Sequence, residues 1–175
     1  RIYLLLLLSA MFGLIACSAK KEPLQPNVVI IFLDDSGWAD FEPFGEVALE
    51  TPNVSQLAAE GTAFHNFYVP QAVCSASRSA LLSGCYPGRT KVFGAHGPNA
   101  WGLDTTFATM GEVFSAAGYA TAAFGKWHCG DLPETRSHAR GFDETCGLMY
   151  SNDMWRYHPE SPDYWGQWPL RYWEN

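Results

Sequence analysis

One stretch decides how the chain is organised, Val73-Cys74-Ser75-Ala76-Ser77-Arg78-Ser79-Ala80-Leu81-Leu82-Ser83-Gly84. It predicts a loop that turns into a helix, because Ser75 and Ser77 are good capping residues and the final glycine is a good helix stop. Cys74 then lies at the positive end of the helix dipole, where unpaired backbone N–H groups favour an anion. Arg78 returns to the same helical face four residues later. A guanidinium beside a thiol suits a tetrahedral oxyanion with a nucleophile beneath it, although the spacing alone also fits a buried cysteine before a solvated helix face.

The composition is that of a packed protein and not of a nucleic-acid binder. The 175 residues are enough for one domain with a core, and 47% of them are hydrophobic and 15% aromatic. The formal net charge is −7. Nucleic acid is excluded as the expected partner, because no basic stripe is present to neutralise phosphates. The net charge does not exclude a small anion, since local groups set such a site.

The first residues predict export and a lipid anchor. Residues 2–15 form an apolar run that is short for a membrane span and typical of a signal-peptide core. The run ends in Leu14-Ile15-Ala16-Cys17, which resembles the bacterial lipoprotein box. That resemblance implies a signal peptide over 1–17, lipidation of Cys17, and a tether over 18–26. We therefore expect a lipid-anchored protein of the bacterial periplasm or cell surface, held at the outer membrane. An ordinary cleaved signal peptide is the alternative.

Two adjacent carboxylates follow the first apolar run of the mature chain. Residues 27–33 are continuously apolar and mostly β-branched, which predicts a central strand of a parallel sheet covered on both faces. Asp34 and Asp35 come at its carboxyl end, where open α/β sheets bind ligands. Adjacent carboxylates repel unless a cation lies between them, and their oxygens select a hard ion such as Ca²⁺ or Mg²⁺. A polar Asp-Ser-Gly turn is the alternative.

A lysine and a histidine follow a predicted strand at residues 119–124, in the run Gly125-Lys126-Trp127-His128. In an extended segment Lys126 and His128 point the same way, because the side-chain period of a strand is two. A cation beside an imidazole can hold a sulfate and move a proton. A turn without function is the alternative.

The remaining pattern predicts ordinary α/β elements. We expect helices over residues 51–60, with Leu57 facing inward and Gly61 as the stop, and over residues 106–117. A weak alternation predicts a strand at 64–69, in which His65 is a packing residue. Residues 86–104 read as an irregular loop, and residues 155–173 as an aromatic-rich loop insertion whose rings pack together.

Three motifs in a fixed order resemble the type I sulfatases. The first is the Pro26–Asp35 run, the second is Cys74-x-Ala76-x-Arg78 continuing to Leu82-Ser83-Gly84, and the third is Gly-Tyr-x-Thr at 118–121 followed by Gly-Lys-Trp-His at 125–128. A looser match continues to Asp153. The resemblance implies an α/β fold, the alkaline-phosphatase-like sandwich with a large mixed sheet between helices. Residues 27–175 would be the N-terminal part of that catalytic domain.

The same resemblance implies the nucleophile, the metal and the reaction. The cysteine of the signature, here Cys74, is oxidised to formylglycine, which attacks the sulfur of a sulfate ester. The metal, Ca²⁺ with Mg²⁺ as the alternative, is bound by Asp34, Asp35 and position 74. The implied substrate is an aryl sulfate or a sulfated carbohydrate. The implied partner is a formylglycine-generating or radical-type sulfatase-maturing enzyme.

The family pattern also assigns four supporting residues. Arg78 would hold the nucleophile in place, and Lys126 would bridge the nucleophile and the sulfate. His128 would take the proton that releases sulfate. Ser151 would hydrogen-bond near the lysine, although a plain loop residue fits that short match nearly as well.

Two other functions fit parts of the pattern. A phosphodiesterase or phosphonate hydrolase would keep the fold and the formylglycine and change the substrate. A non-catalytic carbohydrate-binding lipoprotein would keep Cys74 as a thiol. The three cysteines that remain, Cys85, Cys129 and Cys146, allow at most one disulfide.

Overall fold

The computed structural model describes residues 25–174, so the predicted signal peptide, Cys17 and most of the tether lie outside the described residues. The chain divides into two compact units, residues 1–36 and residues 37–175. Among the described residues, none of the helices has the length and apolar character needed to span a bilayer.

The described residues of the first unit form an exposed, extended segment. The strand predicted at residues 27–33 is wrong, because no strand of the described chain pairs with this segment. Its apolar side chains, such as Val29 and Ile31, are exposed. Apolar, β-branched residues favour a strand, but a strand forms only where a neighbour receives and supplies the backbone hydrogen bonds. Asp35 follows with a φ of +55°, a left-handed conformation that aspartate tolerates better than most residues.

The second unit opens with two 3₁₀ turns, Trp38–Asp40 and Glu42–Phe44, and helix α1, Pro52–Glu60. The predicted helix is confirmed, and Gly61 follows it directly. The inward orientation of Leu57 is wrong, since this side chain is 68% exposed.

Polar contacts, not leucine packing, hold α1. Ser55 Oγ donates to Glu42 Oε2 at 2.6 Å, and the Glu42 backbone N–H donates to Thr51 Oγ1 at 3.0 Å. The strand predicted at 64–69 is wrong, and that segment is irregular. His65 is a packing residue as expected, because its ring lies 5.4 Å from that of Phe44.

Helix α2 covers Cys74–Ser83 and ends at Gly84, whose φ of +65° completes the left-handed C-cap. The predicted helix is confirmed, but the predicted caps are wrong. Val73 is the N-cap and makes no side-chain cap bond, while Ser75 and Ser77 are buried within the helix. Serine is small enough to let neighbouring segments pack closely against the helix. The capping rules consider only hydrogen bonds at a helix end and do not include this packing role.

Two more helices follow in the segment before the sheet. Helix α3, Pro87–Thr90, is a short turn within the predicted loop, and helix α4 is Met110–Ala116. The start predicted at residue 106 is wrong, because Thr109 and Glu112 form a capping box that begins α4 later.

A three-stranded mixed sheet forms the second half of the unit. Strand β1, Ala122–Phe124, pairs in parallel with β2, Glu144–Leu148, and β2 pairs antiparallel with β3, Tyr172–Glu174. Helix α5, Pro162–Trp165, and a 3₁₀ turn, Ser137–Arg140, complete the described elements. The fold is α/β as predicted, with a small mixed sheet in this chain where the large one was expected. Strands β2 and β3 were not foreseen, since neither has a periodic apolar pattern.

The core is formed by loop residues that precede β1 and that follow β1 and β2. A buried arginine organises one side of it: Arg140 Nε donates to Glu112 Oε1 at 3.0 Å and Nη1 donates to the Leu103 carbonyl at 2.9 Å. Nη2 donates to the carbonyl of Phe107. Because a buried cation is costly without partners, these bonds fix the 103–112 segment against the 3₁₀ turn.

The buried apolar cluster consists of Val92, Leu103, Trp127, Cys129, Met149, Tyr150 and Met154.

Two glycines with the same backbone conformation allow a test of this packing. Gly118 and Gly141 both have a φ of +84°. A Cβ at Gly141 would lie 2.2 Å from the Glu112 backbone nitrogen, whereas a Cβ at Gly118 would have no heavy atom within 4 Å. We expect Gly118→Ala to lower the free energy of unfolding by about 1 kcal/mol and Gly141→Ala by about 3 kcal/mol or more. Chemical denaturation of both variants checks this, and equal losses would contradict the packing described for Gly141.

Candidate active site

The helix that carries the thiol is hydrogen-bonded to the segment that follows β1. Arg78 Nη1 donates to the backbone carbonyl of Lys126 at 2.6 Å. At the next residue of α2, Ser79 Oγ lies 3.5 Å from Cys129 Sγ, and both residues are buried. A charge-assisted bond from a guanidinium to a carbonyl is stronger than an ordinary neutral one. The two segments singled out in the sequence, 73–84 and 125–130, are therefore held against each other.

Lys126 joins the thiol and the serine. Its Nζ lies 3.4 Å from Cys74 Sγ and 3.3 Å from Ser151 Oγ. The ammonium group is thus held on two sides, beside the N-terminus of α2. A positive charge at the positive end of a helix dipole is a suitable environment for an anion.

The imidazole of His128 is held in one tautomer. Its Nε2 lies 2.6 Å from the carbonyl oxygen of His96. Because a carbonyl only accepts hydrogen bonds, Nε2 carries the hydrogen and Nδ1 keeps its lone pair. Nδ1 is buried and has no hydrogen-bond partner among the described residues. The backbone of His128 has a φ of +55°, so the expectation that residues 126–128 are extended is wrong.

Burial lowers the pKa of His128 to about 4, and the charges of Lys126 and Arg78 act in the same direction. The hydrogen bond to the His96 carbonyl opposes this shift without cancelling it. At neutral pH His128 is therefore an uncharged base next to two cations. Such a group can accept a proton and return it.

His96 is a residue that the sequence did not reveal. Its backbone N–H donates to Ser75 Oγ at 2.9 Å, while its carbonyl receives the hydrogen of His128. The loop that carries His96 thus connects the first turn of α2 to the imidazole. No sequence pattern marks this role, because it belongs to backbone atoms that any residue possesses.

The paired aspartates belong to the first unit. Both Asp34 and Asp35 are exposed, so their oxygens are accessible to an ion. Carboxylate oxygens are the donor type that Ca²⁺ and Mg²⁺ prefer, and the residues present therefore fit a hard divalent cation.

The other cysteines show no sign of chemistry. All four described cysteines, Cys74, Cys85, Cys129 and Cys146, are free thiols. Burial raises the pKa of the Cys129 thiol to about 11, which keeps it protonated and unreactive.

Comparison with known proteins shows the family of this chain. The sulfatase family model matches residues 26–173. The chain belongs to the sulfatase family. Human N-acetylgalactosamine-6-sulfatase is 40% identical over 138 residues, which cover 74% of this chain and 26% of that protein. Human arylsulfatase A is 41% identical over 150 residues, covering 83% of this chain and 29% of that protein.

Two solved structures resemble this chain as well. The PsFucS1 sulfatase from Pseudoalteromonas sp. has a TM-score of 0.67 and 31% identity, over 90% of this chain and 32% of that one. The structure of Ps i-CgsB in complex with k-i-k-neocarrahexaose has a TM-score of 0.65 and 29% identity, over 79% of this chain and 34% of that one. The alkaline-phosphatase-like fold predicted from the sulfatase motifs is confirmed, and this chain spans about a third or less of the proteins it matches.

The buried imidazole predicts how the stability of this sulfatase domain depends on pH. Since the pKa of His128 is lowered to about 4 from an ordinary value of 6.5, the unfolded chain binds more protons between these values. We expect the free energy of unfolding to fall as the pH falls through this window, with His128 contributing on the order of 2 kcal/mol. Thermal unfolding of His128→Gln should show a shallower pH dependence than wild type between pH 6.5 and 4. His65→Gln is the control, because it removes an imidazole without touching the His96 carbonyl, and an unchanged slope in His128→Gln would contradict the prediction.

Proposed function

We propose that the full-length protein hydrolyses sulfate esters with formylglycine produced from Cys74. The observation that carries this proposal is the position of Lys126 Nζ, between Cys74 Sγ and Ser151 Oγ and beside the start of α2. Cys74 Sγ stands where an oxygen of formylglycine would lie. Hydrated formylglycine would supply two hydroxyls on one carbon, a group that no unmodified side chain of this site possesses.

Each cationic residue has a distinct role in this proposal. Lys126 is close enough to position 74 to hold both the nucleophile and a sulfate oxygen, and its charge offsets the charge that develops on the ester. Arg78 keeps Lys126 in place through the Lys126 carbonyl and adds positive charge at the start of α2. Ser151 fixes the ammonium group from the other side.

His128 would move the proton. Its neutral Nδ1 has a lone pair and is not hydrogen-bonded to any described residue, so it is able to take a hydrogen from position 74. The low pKa of His128 makes it a weak base, so any proton that it accepts is readily returned. The His96 carbonyl keeps the ring from adopting the opposite tautomer.

A divalent metal, Ca²⁺ or Mg²⁺, would be held by Asp34 and Asp35, whose oxygens are exposed. When bound, such an ion lowers the pKa of a nucleophilic hydroxyl and offsets charge on sulfate oxygens. The donor set supports Ca²⁺ or Mg²⁺ over a transition metal, since it is made of oxygens.

The substrate is proposed to be a sulfated carbohydrate. Two similarities support this class, the 40% identity to N-acetylgalactosamine-6-sulfatase and the fold shared with Ps i-CgsB, whose structure was solved in complex with k-i-k-neocarrahexaose. An aryl sulfate is the smaller alternative, supported by the similarity to arylsulfatase A.

The proposed cellular setting follows from the first residues. The apolar run and the Leu-Ile-Ala-Cys ending at Cys17 support export and lipid anchoring, at the bacterial periplasm or cell surface. A sulfatase-maturing enzyme, of the formylglycine-generating or radical type, is the required partner.

Modification of Cys74 is the central prediction. In full-length protein made with its maturation enzyme, we expect mass spectrometry of the peptide that carries Cys74 to show the thiol replaced by an aldehyde or its hydrate. Cys74→Ser should abolish hydrolysis of 4-nitrophenyl sulfate. Serine has a single hydroxyl, whereas hydrated formylglycine has a second hydroxyl whose deprotonation releases the sulfate. Cys85→Ser is the control and should retain activity, since Cys85 follows the C-terminal end of α2, whereas Cys74 begins this helix. An unmodified Cys74 in active protein, or preferential hydrolysis of phosphate diesters, would overturn the sulfatase proposal.

Metal removal gives an independent prediction. We expect EDTA to abolish sulfate-ester hydrolysis by the matured protein and Ca²⁺ to restore it. Asp34→Asn should lower kcat/KM by about 100-fold or more, because even residues that only orient metal ligands contribute roughly 10–100-fold. Asp153→Asn removes an equally exposed carboxylate and should have little effect. Full activity in EDTA would contradict the metal assignment.

A further inference from the structure

Two loops run side by side next to the candidate active site. One carries His96 and Asn99, and the other carries His128 and Asp131. They are bonded at matching positions, because His128 Nε2–H donates to the His96 carbonyl at 2.6 Å and the Asn99 backbone N–H donates to Asp131 Oδ2 at 3.0 Å. Residues three apart in a chain lie within about 10 Å of each other. The Asn99–Asp131 contact is therefore close to the imidazole, at a distance comparable to the length of one or two sugar rings.

Close backbone approach holds the two loops together. The Leu103 N–H donates to the Cys129 carbonyl at 2.9 Å. Gly102 has a φ of +76°, and a Cβ there would lie 2.1 Å from the same carbonyl. Only glycine fits at this position. The loop that bears Asn99 is consequently fixed in place, as a preorganised binding surface must be.

Arg171 completes a polar group that the proposed catalytic roles do not use. Its Nη1 donates to Asp131 Oδ2 at 2.8 Å, and its Nη2 donates to Asn99 Oδ1 at 2.9 Å. The Asp131 side chain is 3% exposed and the Arg171 side chain 35% exposed. A buried carboxylate thus orients a guanidinium whose outer part faces solvent. The other three N–H groups of the Arg171 guanidinium have no hydrogen-bond partner among the described residues. Asp131 Oδ1, which is buried, also has no hydrogen-bond partner there.

Exposed aromatic surface lies on the same loop. Trp101 is two residues from Asn99, and its side chain is 58% exposed. Trp165 also lies against this loop, since a Cβ at Gly97 would be 3.7 Å from one of its ring carbons. A sugar ring presents an apolar C–H face and a rim of hydroxyls. Aromatic rings match the face, and guanidinium and amide groups match the hydroxyls.

We propose that Asn99, Trp101 and Arg171, held by Asp131, form a saccharide-binding subsite beside the sulfate-binding residues. This inference rests on the proposed sulfatase function and narrows its substrate class to sulfated saccharides. Because Asp131 offsets the charge of Arg171, the subsite suits sugar hydroxyls more than a second sulfate group. A simple aryl sulfate is too small to use it.

The test compares a saccharide with an aryl substrate in the full-length, matured protein. The saccharide probes are N-acetylgalactosamine 6-sulfate and k-i-k-neocarrahexaose, and the aryl probe is 4-nitrophenyl sulfate. We expect Arg171→Gln to raise KM for whichever saccharide is hydrolysed by about 10-fold or more, since a charged hydrogen bond contributes that much. Trp101→Ala should do the same. Both variants should hydrolyse the aryl sulfate within about twofold of wild type, because the sulfate-binding residues are untouched.

Arg156→Gln is the matched control. It removes an arginine from the 155–173 segment, where it lies over the ring of Tyr157 and is not among the hydrogen-bond or ion-pair partners described for Asn99 and Asp131. Its kinetics with both substrates should equal those of wild type. Parallel losses on both substrates in Arg171→Gln and Trp101→Ala would overturn the subsite and leave Arg171 a structural residue.

Direct binding separates failure of the subsite from failure of the proposed reaction. If wild type hydrolyses neither substrate class, the sulfatase function fails. Calorimetric titration with k-i-k-neocarrahexaose then decides the subsite by itself. Binding that is lost in Arg171→Gln and Trp101→Ala but kept in Arg156→Gln supports it. No binding by wild type, or equal binding by all variants, overturns it.

Discussion

The candidate site depends on one hydrogen bond, from Arg78 Nη1 to the Lys126 carbonyl. Arg78 belongs to the helix that presents Cys74, and Lys126 belongs to the turn that follows β1. The two residues are 48 positions apart, so the ordering of this contact costs considerable chain entropy. Small buried residues of α2, such as Ser79 packed against Cys129, allow the approach. The bond adds to the contacts of the Lys126 ammonium with Cys74 Sγ and Ser151 Oγ in fixing the lysine relative to the thiol.

The histidine illustrates how local strain serves the site. His128 adopts a left-handed backbone conformation that costs free energy in a residue with a side chain. In return, the imidazole is buried against the His96 carbonyl, which selects the tautomer and removes the charge. The same pair of loops continues to Asn99 and Asp131, so the geometry that fixes the base also fixes the polar group around Arg171. Catalytic and substrate-binding positions would therefore be set by a single loop pairing.

Local patterns predicted the helices well and the strands poorly. Helix α1 and helix α2 follow from a proline start, a glycine stop and good helix formers, all of which act over a few residues. Residues 27–33 have the composition of a buried strand and yet form none in this chain, since pairing depends on segments distant in sequence. Strand β2 shows the reverse case: its sequence, Glu-Thr-Cys-Gly-Leu, has little strand character, and its position beside β1 makes it a strand.

The sequence by itself determined the family, the α/β fold and the residues proposed for the chemistry, because motifs such as Cys-x-Ala-x-Arg and Gly-Lys-Trp-His are local and specific. The tertiary structure alone decided how those residues act on one another. The contact of Lys126 with Cys74 and Ser151, the tautomer of His128 and the role of His96 all depend on distances between remote segments. The group formed by Asn99, Asp131 and Arg171 is likewise invisible in the sequence, since its members come from three separate loops. A one-dimensional pattern reports side-chain chemistry, and only folding brings backbone carbonyls and distant side chains within bonding distance.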